Sequence, residues 1–113
     1  MIILSSNLKR KIENIQIDNK KYIIAFDMES CEVFKELSGQ SVLNSLVKLE
    51  QLDDITVLYF IASTLRDKKT EKILGNKLFN GNFDLFSVVI GLLPAVINIV
   101  TNGFPKEDKS KKK

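Results

Sequence analysis

Histidine is absent from this 113-residue chain, and so is tryptophan. The lack of histidine removes the commonest general base and the commonest transition-metal ligand. It also excludes a Ser-His-Asp triad. A Ser-Lys dyad stays open in principle, but no serine has a recognisable base partner. The single cysteine, Cys31, excludes an intrachain disulfide. It falls on the apolar side of a predicted helix, where a free thiol is more often a small core residue than a nucleophile. Glycines number five, and none forms a GxGxxG or GxxxxGK(S/T) loop, which argues against a nucleotide site. The carboxylates Asp53-Asp54 and Glu29, Glu32 and Glu36 have the spacing of helix caps and a solvated face, not of a metal site or an EF-hand loop. The expectation is a non-enzyme with no cofactor and no metal.

No secretory leader is expected. Met1-Ile2-Ile3-Leu4 is too short for its apolar core, and Lys9, Arg10 and Lys11 follow it instead of preceding it. A cytoplasmic protein is expected.

What is present is an ordinary globular composition, 44% hydrophobic and 27% charged, in a length that fits one domain. The net charge of +3 is local. Residues 106–113 hold five lysines against one glutamate and one aspartate, so the rest of the chain is formally neutral. This predicts a single α+β domain over 1–104 and a disordered lysine-rich tail over 105–113. Such a tail would touch nucleic acid only weakly and in a salt-sensitive way, so no specific nucleic-acid partner is expected.

Residues 1–14 read equally as a strand at Ile2-Ile3-Leu4 or as a short helix capped by Ser6. Ile15 and Ile17 alternate with Gln16, and Asp18-Asn19-Lys20 has hairpin-turn composition. A β-prone run from Tyr22 to Phe26 follows, so a β-hairpin is predicted. Asp27 is the expected N-cap of a helix with Met28, Cys31, Phe34 and Leu37 on one stripe, stopped by Gly39. Ser41 opens a second helix with Val42, Leu43, Leu46, Val47 and Leu49 on its apolar side. Asp53 caps a third, over 53–66, apolar nearly all round and therefore central. Its β-branched Ile55, Thr56 and Val57 make a strand the competing reading. Arg66-Asp67-Lys68-Lys69 reads as an exposed connection, and Thr70 as the cap of a fourth helix carrying Ile73, Leu74, Leu78 and Phe79. Asn80-Gly81-Asn82 signals a turn. A fifth helix covers about 84–101, bent at Pro94 and stopped by Asn102-Gly103. The prediction is thus an N-terminal β-hairpin packed on a predominantly helical domain of about five helices.

The run Leu85–Val100 is slightly short for a membrane span, which needs roughly 17–25 apolar residues. Three readings stand: a core helix, an interaction helix, or, with the basic tail, a peripheral or tail-anchored membrane segment. As an interaction helix it would offer Leu85, Phe86, Val89, Leu92, Leu93, Val96 and Val100 to a protein partner.

Residues 15–39 carry one family resemblance. Ile15-Gln16-Ile17-Asp18-Asn19-Lys20-Lys21-Tyr22-Ile23-Ile24-Ala25-Phe26-Asp27, followed by Glu36-Leu37-Ser38-Gly39 at the end of a helix, resembles the tail assembly chaperones of long-tailed bacteriophages and phage-derived elements. The almost wholly apolar helix at 53–66 is similar as well. The resemblance implies a non-enzymatic chaperone of virion assembly that keeps the tape-measure protein soluble until tail tube subunits displace it. It implies self-association or hetero-complexes in the bacterial cytoplasm. It also implies a longer frameshifted product, for which codons of Lys111-Lys112-Lys113 are a candidate slippery stretch.

Overall fold

In the computed structural model, residues 12–81 and 83–102 are described. The two readings of the segment before Ile12, Asn82, and the expected stop and tail from Gly103 onward lie outside the described residues.

Strand β1 (Ile12–Ile17) and strand β2 (Lys20–Ala25) form the antiparallel hairpin, with Ile17 paired to Lys20 and Ile12 to Ala25. The turn is therefore Asp18-Asn19 alone. Both residues have positive φ, 50° and 69°, the backbone that a two-residue turn needs to match strand twist. Ile15 and Ile17 are half-buried and alternate with exposed Asn14 and Gln16. Tyr22, Ile23, Ile24 and Ala25 are all buried, because β2 is the middle strand and is covered on both faces.

Helix α1 (Met28–Ser38) starts at Asp27, whose carboxylate accepts the Ser30 N–H at 3.1 Å. Ser30 Oγ accepts the Asp27 N–H in return at 3.3 Å, closing a capping box. Gly39, at φ 76°, ends the helix as expected, donating its N–H to Lys35 O. Phe34 is buried, and Cys31 and Leu37 are half-buried, but Met28 is 71% exposed and leaves the predicted stripe. Helix α2 (Val42–Glu50) starts at Ser41 and buries Val42 and Leu49, while Leu43 and Val47 face out.

Helix α3 (Asp54–Thr64) starts at Asp53, which accepts from both the N–H and the hydroxyl of Thr56. It is a helix despite its β-branched start, and it packs on α1, on α2 and on later elements. Phe60 lies 4.3 Å from Phe34, ring centre to ring centre, at the middle of the core. The buried hydroxyls of Ser63 and Thr64 donate to Phe60 O, so neither is left unsatisfied.

Two expectations fail after α3. The helix does not reach residue 66. Leu65–Asp67 is a third strand, β3, antiparallel to β2, which completes a sheet of order β1-β2-β3. Nor does Thr70 cap a helix. Its N–H goes to Asp67 Oδ1, and its hydroxyl accepts the Lys72 N–H. Ile73 bridges to Arg66, and Leu74 donates to Leu65 O. These turn and bridge bonds take the backbone groups that a first helical turn would use. What remains is a 3-10 helix, Gly75–Phe79.

Helix α4 (Leu85–Thr101) starts at Asp84 and runs through Pro94 as one helix. The proline is exposed, so water can take the carbonyl that its missing N–H leaves. Val88, Leu92, Val96, Ile99 and Val100 are buried and join the core with α3 and β2. The architecture is α+β: a hairpin-based sheet, four α-helices and one 3-10 turn among the described residues.

Candidate functional site

Two surface features stand out, and a buried ionic network holds the scaffold behind them. The network was hidden in what reads as a solvated stretch. Arg66 is only 2% exposed. Pairing of Arg66 with Ile23 sets it beside the start of α1. Its Nη2 donates to Asp27 Oδ1 at 2.7 Å, Ser30 Oγ at 3.0 Å and Ala25 O at 3.4 Å. Nη1 lies 3.8 Å from Glu29 Oε1, and the buried Nε has no hydrogen-bond partner. Burial by itself would raise the Asp27 pKa. The Arg66 hydrogen bond, the Ser30 N–H and the Arg66 charge outweigh it and hold the carboxyl below its usual range. The cap of α1, the end of β2 and strand β3 are thus fastened at one point. The Cys31 thiol, close by in sequence, is pushed up by burial and then by the charges of Asp27 and Glu32. A thiol kept protonated is a poor nucleophile.

The first surface feature is the outer side of α4. The helix has 17 residues and no charged side chain. Its exposed positions are Phe86, Ser87, Ile90, Gly91, Pro94, Asn98 and Thr101. Solvated helix faces are normally rich in charge, and here the largest exposed groups are Phe86 at 74% and Ile90 at 58%. They are one turn apart and so share a face. A side chain on Gly91 would meet open space, so packing does not require glycine there. Glu13 accepts from Asn98 Nδ2 at 3.2 Å, tying this helix to β1.

The seven α4 residues expected as partner contacts are divided by the fold. Phe86 is fully on the surface, and Leu85, Val89 and Leu93 are half-buried at its flanks. Leu92, Val96 and Val100 belong to the core, because they follow the i, i+4 line of the inward face. Those three are therefore corrected from surface to interior. Ile90 was missed, although its spacing from Phe86 is a signal. Among the described residues no helix is long and apolar enough to cross a membrane. No three Cys, Asp or Glu side chains among them cluster to hold a metal ion.

The second feature is a cleft of about 630 Å³ between the hairpin tip, residues 67–80 and Phe83. Tyr22 and Phe83 lie in it, their rings 6.2 Å apart. Lys20, Lys72 and Lys77 stand around it. Sequence reading could not find it, because its walls meet only once β3 is paired.

No family model, curated protein or solved structure matches the chain. The fold and its surface define a small α+β domain with an uncharged, partly apolar helix face and a lysine-ringed cleft.

Proposed function

We propose that this chain binds an apolar helical segment of another protein during assembly and catalyses no reaction. Together with the resemblance at residues 15–39, the reading is a phage or prophage tail assembly chaperone in the bacterial cytoplasm. Its partner would be the tape-measure protein, with tail tube subunits as the displacing species and self-association when unloaded.

The observation that carries this reading is the outer face of α4, a helix without a single charged side chain that presents Phe86 and Ile90 to solvent. Exposed aromatic and aliphatic groups on one helix face are the usual anchors of helix-to-helix docking. Phe86, with Ile90 and the rims of Leu85, Val89 and Leu93, is the proposed contact set. The other side of α4 is occupied by the core, so docking needs no unfolding of the domain.

The test begins with the genes beside the coding sequence. A tail tube gene on one side and a very long helical protein on the other is the expected arrangement. Co-expression should then raise the soluble fraction of that long protein, and F86D/I90D should abolish the rescue. The absence of any phage gene nearby, or rescue unaffected by F86D/I90D, overturns the reading.

A further inference from the structure

We propose that the cleft between the hairpin tip, residues 67–80 and Phe83 docks an acidic peptide segment that carries an apolar side chain. This site is separate from the α4 face and does not rest on the function proposed for it.

The size is suitable. About 630 Å³ lies within the roughly 300–1,000 Å³ of ordinary ligand clefts. Part of the lining is apolar: Tyr22 is almost fully buried, and Leu74 and Phe83 are half-buried. An aromatic or branched side chain inserted there would leave water for carbon surface.

The rim is cationic, and its cations are unevenly engaged. Among the described residues, three lysines, Lys20, Lys72 and Lys77, and two aspartates, Asp18 and Asp67, line the cleft. Asp67 is already occupied. Its Oδ1 accepts the N–H groups of Lys69 and Thr70, and its Oδ2 lies 3.4 Å from Lys20 Nζ. The N–H groups of Thr70 and Lys69 hold its carboxyl below the usual range, with Lys20 adding to the effect. Lys20 also lies 5.5 Å over the Tyr22 ring. Lys72 and Lys77 have no ion-pair partner among the described residues. They are the two ammonium groups left to meet incoming negative charge.

The chemistry favours carboxylates over a nucleotide. Among the described residues, none of an α-helix lines the cleft, so none of their helix N-termini offers it a row of N–H groups. Nor does an arginine among them line it, to supply the planar fork suited to phosphate. Separate lysine point charges beside apolar side chains match a short segment with acidic residues on either side of an apolar one.

The experiment is a fluorescence polarisation titration of the full chain. The probe is a fluorescein-labelled pentapeptide with phenylalanine between two pairs of acidic residues. Saturable binding is expected, weakened at least about tenfold by K72E/K77E. Replacing the peptide phenylalanine with glycine should weaken it about fivefold or more. K35A, on the exposed side of α1, should leave it unchanged. Circular dichroism checks that the variants fold. No saturable binding by the wild-type chain overturns the proposal. So does binding that K72E/K77E leaves intact, since it then belongs to other lysines. Neither result touches the co-expression rescue that tests α4.

Discussion

Replacing Arg66 by alanine would leave the Asp27 carboxylate half-buried beside Ser30 without its guanidinium partner. Breaking a fully buried pair costs about 3–5 kcal/mol. Asp27 keeps 29% of its side chain exposed, so about 2 kcal/mol is the expected loss for R66A, read from urea unfolding. Lysine at this position should recover only part of it, because one ammonium cannot reproduce the guanidinium fork. The same pair sets an acid response. The Asp27 pKa is lower in the folded chain than its ordinary 3.8. Its contribution is therefore fully present above about that pH and is lost as pH falls through the lower native value. A melting series between about pH 6 and pH 2 should show D27N losing less stability on acidification than wild type. Neither residue announces the other in sequence. Asp27 was legible as a cap because capping is local. Arg66 was not, because its burial depends on pairing with Ile23, a strand contact between residues far apart in sequence.

Elements were readable where punctuation marks them. Asp27, Ser41, Asp53 and Asp84 all sit at helix N-caps, and Gly39 ends α1 in a left-handed conformation. β3 carries no such mark. It is three residues long, follows α3 without a break and is defined by its pairing with β2 and by the bridge from Arg66 to Ile73. The helix expected from Thr70 failed for the complementary reason: an Asx-type turn at Asp67 and a bridge at Ile73 took the backbone first. The hairpin turn offers a direct test. Asn19 tolerates its φ of 69°, but glycine adopts it freely. Asn19→Gly should stabilise the domain by about 0.5 kcal/mol, seen as a higher urea midpoint with unchanged slope.

Across the whole molecule, α4 shows the limit of periodicity. Apart from Ser87 and Asn98, the side chains from Leu85 to Val100 are apolar, so composition located the helix but could not divide its faces. Packing against α3 and β2 makes the division. Two substitutions should report it. Val96→Asp puts a charge at a fully buried position and should prevent stable folding. Phe86→Asp should stay within about 0.5 kcal/mol of wild type by thermal melt, since little of that side chain is covered. Equal damage from both would mean that the outer face is structural. The direct passage from Thr64 in α3 to Leu65 in β3 bears on motion as well. Without a linker to absorb strain, the central helix cannot slide or fray at that end without dragging a sheet strand with it. Amide hydrogen exchange should accordingly find the last turn of α3, β3 and the middle of β2 opening together as one unit at close to the global unfolding free energy. The outer face of α4 would then lie on a scaffold that opens only when the whole domain does.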